Sequence, residues 1–122
     1  MKYIKFLDKI LNSYKKIGYR PQPKVFINTE EKMCSPLVAI AIAESNDNFN
    51  YNIHPIYRWI VKYFKGNWVW VEGFFDAFDR KEPTHWKDSP SQHQNYLLGK
   101  KVGTEIRNQL KEIYYKKPNP KE

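Results

Sequence analysis

Three carboxylates follow one another at helical spacing in the aromatic segment 67–80. Glu72, Asp76 and Asp79 fall on one side of a predicted helix. Two carboxylates one turn apart can share a cation or hold one proton between them, so this face could serve a metal-dependent or acid–base enzyme. A metal site would need further ligands, and the chain has no Glu-x-x-His or His-Glu-x-x-His arrangement. We therefore expect solvated or lysine-paired acids, with no metal and no cofactor.

The single cysteine, Cys34, allows no internal disulfide and has no metal-ligand spacing around it. A nucleophilic Cys–His pair would require the fold to bring His54, His85 or His93 beside it. Cys34 precedes an apolar segment, and a free cysteine in that setting is usually a small buried hydrophobe. Neither a glycine-rich phosphate loop nor Gly-x-Ser-x-Gly occurs in the sequence. These patterns favour a binding protein over an enzyme.

A basic stripe on the last predicted helix is the strongest candidate for binding. It comprises Lys100, Arg107 and Lys111, flanked by Tyr96 and Tyr114, and none of the three cations has a carboxylate four residues away. Cations beside tyrosines are typical of surfaces that follow a phosphate backbone and stack on bases. The net charge of +8 fits such a partner, although lysine-rich composition also follows from AT-rich coding. The sequence predicts contact with nucleic acid or a nucleoprotein, without sequence readout because arginines are few.

Aromatic residues outside the core stripes support a different class of function. Trp68, Trp70, Trp86 and Tyr115 belong to residue types that are enriched at protein-interface hot spots. An adaptor or inhibitor that docks on another protein would use such side chains. At the level of sequence, both interpretations stay open.

Small residues in two predicted helices indicate how these helices pack. Gly73 and Ala77 lie four residues apart on one, and Gly99 and Gly103 lie four apart on the other. Glycine inside a helix costs roughly 0.5–1 kcal/mol relative to alanine, so two glycines in one helix need compensation. Close approach of a neighbouring helix supplies it, and a gap that admits a ligand is the alternative.

The elements that must position these residues are helical. Periodicity and capping signals predict helices over 3–17, 37–45, 56–65, 68–80 and 91–115. Ser35-Pro36 and Ser89-Pro90-Ser91-Gln92 are expected helix starts, and Gly18 an expected helix end. Residues 28–31 are expected to start a short helix, and 25–27 to pack without a partner strand. The alternating segment 37–43 would also suit a strand.

The resulting fold class is all-α, with about five helices and no substantial sheet. We expect one compact domain over 1–116 and a flexible tail over 117–122, which contains two prolines. No segment approaches eighteen uninterrupted apolar residues, and the N-terminus lacks the pattern of a signal peptide. A cytoplasmic protein is the corresponding expectation.

Overall fold

The computed structural model describes residues 3–45, 49, 52–79 and 90–115. The described residues form five helices, which confirms the predominantly helical prediction and shows that 37–43 is helical. The helices are α1 (Ile4–Ile17), α2 (Pro36–Glu44), α3 (Ile53–Tyr63), α4 (Trp68–Asp79) and α5 (Pro90–Tyr114). The predicted domain boundary and tail over 117–122, the serine at 89 and Trp86 lie outside the described residues.

A small three-stranded sheet modifies the all-α prediction. Strands β1 (Arg20–Pro21) and β2 (Ile27–Asn28) flank β3 (Met33–Cys34) in the order β1-β3-β2. β1 pairs with β3 in parallel, and β2 pairs with it antiparallel. The prediction that 25–27 has no partner strand is therefore wrong. Each strand has two residues, too few to show the alternation by which strands are recognised in a sequence.

The segment 28–31, predicted to start a helix, instead comprises the last residue of β2 and most of the turn 29–32 that leads to β3. The Asn28 side chain does act as a cap, because its Oδ1 atom accepts a hydrogen bond from the Glu31 N–H at 2.9 Å. The chain then reverses at Lys32, whose φ of 57° lies in the left-handed region. The predicted helical start is wrong because an asparagine side chain can stabilise a turn as readily as a helix.

Helix α1 packs against α2 and is hydrogen-bonded to the sheet. It ends as predicted at Gly18, where φ is 73° and the N–H donates to the Tyr14 carbonyl at 2.9 Å. The Tyr14 side chain is fully buried, and its hydroxyl donates a 2.6 Å hydrogen bond to the carbonyl oxygen of Cys34 in β3. Helix α2 is apolar on all sides, and seven of its nine residues are buried.

Helices α4 and α5 form the most extensive helix pair of the described residues. Trp70 packs on Gly99, and Phe74 packs on Gly103, so the two helices run in the same direction. The buried face of α5 includes Val102, Ile106 and Leu110, as its periodicity predicts.

Two further apolar residues of α5 continue this helical spacing but are exposed. Leu98 is 55% exposed and Ile113 is 50% exposed. Leu98 is rotated about the helix axis by about 100° from its buried neighbour Gly99, so its side chain points away from α4. Ile113 lies in the last turn, where the neighbouring helices no longer cover it.

Among the described helices, none combines the length and the apolar character required to cross a bilayer.

Candidate nucleic-acid interface

The crossing of α4 and α5 leaves no room for a ligand. A Cβ atom at Gly99 would lie 2.0 Å from the Trp70 carbonyl oxygen, and one at Gly73 would lie 2.2 Å from that of Tyr96. At Gly103 the nearest atom is the Phe74 carbonyl oxygen at 2.5 Å, with the Ala77 Cβ at 3.2 Å. Backbone of the opposite helix therefore occupies the space that a side chain would need.

The structure assigns three of the five residues of the predicted α5 stripe to packing. Tyr96 is 1% exposed, and its hydroxyl donates to Oδ2 of Asp76 at 2.8 Å. Arg107 is half-buried, and its Nη1 donates to the Ala77 carbonyl at 2.6 Å. The Tyr114 ring packs edge-on against Tyr14, with the centroids 5.9 Å apart. Tyr96 consequently cannot stack on a base, which corrects its predicted place on a binding surface.

The two remaining cations of the stripe do not share one depression. Lys100 lines a shallow surface beside Leu97 and Glu105. Lys111 is exposed and lines a groove next to Pro21. The structure thus distributes the stripe over several environments instead of presenting it as one continuous basic face.

The acids of α4 also serve separate partners. Asp79 is 7% exposed and accepts a 2.9 Å hydrogen bond from the Lys24 N–H, whereas Asp76 accepts from the Tyr96 hydroxyl. The expectation of a solvated side chain is wrong for Asp79, which is buried and accepts a hydrogen bond from the backbone of another segment. Among the residues that the structure describes, no group of three His, Cys, Asp or Glu side chains could hold a metal ion.

Replacing Asp79 with alanine should destabilise the fold by about 1–3 kcal/mol, because it removes a buried charge-assisted acceptor and leaves the Lys24 N–H unsatisfied. Lys24 has a φ of 64°, in the left-handed region that residues other than glycine rarely adopt, and this hydrogen bond stabilises that backbone conformation. Urea unfolding of Asp79→Ala, compared with Asp8→Ala at an exposed position on α1, would measure the effect. Equal stability of the two variants would contradict the role assigned to Asp79.

Cys34 lies in the core and not in a nucleophilic site. Its side chain is fully buried, and burial raises the pKa of its thiol. A thiol in that environment stays protonated, and the thiolate is the form that attacks substrates.

A surface that the sequence analysis missed lies at the C-terminal end of α3. It is lined by Tyr57, Arg58, Val61, Lys62, Lys65 and Trp68, and is called the α3 patch below. The indole of Trp68 is 43% exposed. Arg58 and Lys62 are separated by one helical turn, which places both on the same side of α3.

The turn after α3 brings Lys65 and Trp68 to this surface. Lys65 and Gly66 have φ values of 59° and 80°, both in the left-handed region. The Gly66 N–H donates to the Val61 carbonyl at 2.8 Å, which is the six-to-one bond of a Schellman ending. The chain reverses there, and α4 begins at Trp68 beside the end of α3.

The charged residues in the lining of the α3 patch, among those that the structure describes, are all positive. Residues 48–71 of the sequence contain no Asp or Glu. Within the described part of the chain, neither Arg58 nor Lys62 nor Lys65 forms an ion pair, whereas Lys9 pairs with Glu44 on α2. Three cations and the partly exposed Trp68 therefore line the same surface.

Tyr57 anchors the α3 patch to α4. Its ring lies 6.1 Å from that of Phe75, centroid to centroid. Burial raises the pKa of the Tyr57 hydroxyl, and the negative charges of Glu72 and Asp76 raise it further. The acids of α4 thus lie near the inner side of this residue but are not part of the patch lining.

The signal for the α3 patch was present in the sequence. Arg58, Lys62 and Lys65 follow the spacing i, i+4, i+7, inside an acid-free segment that leads to Trp68. The position of Lys65 could not have been obtained from periodicity, because it depends on a left-handed turn.

The other aromatic candidates have different environments. Trp70 is half-buried and stacks on Phe64 and Phe74, with centroid distances of 4.7 and 5.7 Å. Tyr115 is 40% exposed, and its hydroxyl donates to the Pro21 carbonyl. Of the predicted tryptophans that the structure describes, Trp68 is the exposed one.

Comparison with protein-family models, with curated proteins and with solved structures gives no match. The class that the structure itself defines is a predominantly helical protein with a small three-stranded sheet.

Proposed function

We propose that the protein binds nucleic acid without sequence readout, and that the α3 patch is the surface that does so. The observation that carries the proposal is that Trp68, 43% exposed, shares its surface with Arg58, Lys62 and Lys65, with no carboxylate among the described lining residues. The net charge of +8 adds long-range attraction to a polyanion.

The chemistry of the patch favours a single strand over a duplex. An indole can stack on a base only if that base is unstacked from its neighbours, and such stacking contributes about 1–3 kcal/mol per base. Lysine and arginine at the rim would contact phosphates, which position the strand but do not identify its sequence. Three phosphate contacts on a single strand predict a salt slope of about −2 in log K against log salt.

Binding to a short mixed-sequence DNA strand, followed by fluorescence anisotropy across a salt series, tests the proposal. Trp68→Ala should weaken binding by roughly five- to 150-fold, the equivalent of losing about 1–3 kcal/mol of stacking. Trp68→Phe should retain most of the affinity because it keeps an aromatic ring. The duplex of the same sequence should bind more weakly than the single strand.

A matched pair of charge reversals separates the patch from the net charge. Arg58→Glu/Lys62→Glu and Lys100→Glu/Lys111→Glu change the total charge equally. The first pair should abolish most of the binding and flatten the salt slope, and the second should have only the smaller effect of overall charge. Equal loss in both pairs, or no binding at low salt, would overturn the proposal. No binding would instead favour the alternative of an adaptor or inhibitor that docks on another protein.

A further inference from the structure

A groove on the opposite end of the helix pair has the character of a small-molecule site. Its volume is about 350 Å³, and it lies between β1 and the C-terminal turns of α4 and α5. Ligand pockets commonly fall between about 300 and 1,000 Å³. The groove shares no lining residue with the α3 patch.

The apolar surfaces of the groove are rigid. Pro21 and Pro23 form one wall, and their rings fix φ, so this wall cannot rearrange easily to fill the space. Phe78 and Leu110 line the groove although each is only 1% exposed. These two side chains belong to the core and give the groove a fixed apolar floor.

Tyr115 connects the α5 side of the groove to the proline wall. Its hydroxyl donates to the Pro21 carbonyl, and Oε1 of Gln22 lies 3.2 Å from the same hydroxyl. The ring also lines the groove and is 40% exposed, so an occupant would meet the aromatic surface of Tyr115. Flat aromatic bodies complement such surfaces.

Among the described residues, the charged part of the lining is positive. Arg107 and Lys111 lie one helical turn apart on α5, and no carboxylate of the described residues lines the groove. The bond from Arg107 Nη1 to the Ala77 carbonyl holds the guanidinium in place before any ligand arrives. A preorganised cation loses less side-chain freedom on binding than a mobile one. Lys111 is exposed and can move towards a head group.

Arg20 adds positive charge near the same end of the groove. Burial raises the pKa of the Tyr115 hydroxyl, and the positive charge of Arg20 partly opposes that rise. Arg20 therefore lies close enough to Tyr115 for its positive charge to act at this end of the groove.

We propose that this groove binds a small aromatic carboxylate, with the carboxylate at Arg107 and Lys111 and the ring against Tyr115 and the proline wall. Charge complementarity selects the anionic head group, and the proline and aromatic walls select the flat apolar body. The proposal is independent of nucleic-acid binding because the two surfaces consist of different residues.

Titration of the full chain with 2-naphthoate, followed by two-dimensional amide NMR, tests this site. The largest shifts are expected at the amides of Gln22, Leu110 and Lys111. The neutral isostere 2-naphthamide should bind at least about tenfold more weakly, since a hydrogen bond to a charged group contributes more than a neutral one. Comparable affinity of the two compounds, or shifts centred elsewhere, would overturn the proposal.

Two variant pairs localise the binding. Lys111→Glu should weaken 2-naphthoate about tenfold, whereas Lys101→Glu, the same change on the same helix outside the groove, should leave it unchanged. Tyr115→Ala should weaken binding, and Tyr115→Phe should restore it by keeping the ring. Equal effects of Lys111→Glu and Lys101→Glu would show non-specific attraction and reject the site. Thermal unfolding of each variant checks that it is folded.

Discussion

Alanine at position 99 should destabilise the protein by about 2–4 kcal/mol, although helix propensity alone predicts the opposite sign. In an ordinary helix, glycine to alanine stabilises by roughly 0.5–1 kcal/mol. Here the new Cβ would lie 2.0 Å from the Trp70 carbonyl oxygen and 3.1 Å from the Phe74 nitrogen. Both obstacles are backbone atoms, so α4 and α5 must move apart along their length.

The magnitude should follow the distances at the three glycines. The nearest backbone atom lies at 2.0 Å for Gly99, 2.2 Å for Gly73 and 2.5 Å for Gly103, so Gly99→Ala should be the most damaging and Gly103→Ala the least. Asn108→Ala, at an exposed position of α5, measures the gain from propensity alone. Urea unfolding gives the four free energies. A Gly99→Ala protein more stable than the natural one would show that the helices do not cross this closely.

The helices could be obtained from the sequence because their signals are local. Gly18 after an amphipathic stripe and Ser35-Pro36 before an apolar run each mark a helix end within a few residues. The small residues at 99 and 103 likewise carry their own signal, because glycine in the middle of a long helix requires a reason.

The features that sequence reasoning missed depend on tertiary contacts. Nothing near Asp79 in the sequence indicates that it accepts a hydrogen bond from the Lys24 N–H, which is 55 residues away. Tyr96 looks like a surface tyrosine on a polar helix, but it is buried, and Asp76 accepts a hydrogen bond from its hydroxyl. The α3 patch is an intermediate case. The spacing of its cations can be seen in the sequence, but the left-handed turn that brings Lys65 and Trp68 to the patch cannot be predicted from it.

Tertiary contacts also explain why the candidate binding surface lies on α3 and not, as the sequence predicts, on α5. The crossing with α4 uses part of the polar face of α5, where Arg107 donates to the Ala77 carbonyl. Helix α3 has fewer contacts with other helices, and its Arg58 and Lys62 remain exposed. Helix packing therefore decides which cations of a basic stripe remain exposed for binding.

Alkaline pH should unfold the protein steeply, because two fully buried groups must lose protons. Burial raises the pKa of the Cys34 thiol above its ordinary value of 9.0 and that of the Tyr14 hydroxyl well above 10.0. The unfolded chain releases these protons at the ordinary values, while the folded chain retains them. The stability that the two groups contribute is fully present below about pH 9 and is lost as pH rises towards the folded-state pKa values.

The slope of this loss can be assigned to single residues. Each group that is protonated only in the folded state lowers stability by about 1.4 kcal/mol per pH unit. Tyr14→Phe should cost about 0.5–1.5 kcal/mol at neutral pH, because it removes the hydrogen bond to the Cys34 carbonyl. That cost should shrink above about pH 10 and then reverse in sign, since the variant has no hydroxyl to ionise.

Urea unfolding of the natural protein and of Tyr14→Phe across the alkaline range measures both slopes, and each pH provides its own paired control. Tyr57 and Tyr114 also have raised pKa values, which steepens the decline equally in both proteins. A difference in stability that stays constant from neutral to alkaline pH would contradict the buried, protonated state of the Tyr14 hydroxyl. A difference that closes with pH would show that this hydroxyl titrates only when the core opens, because its neutral form is the one that bonds α1 to β3.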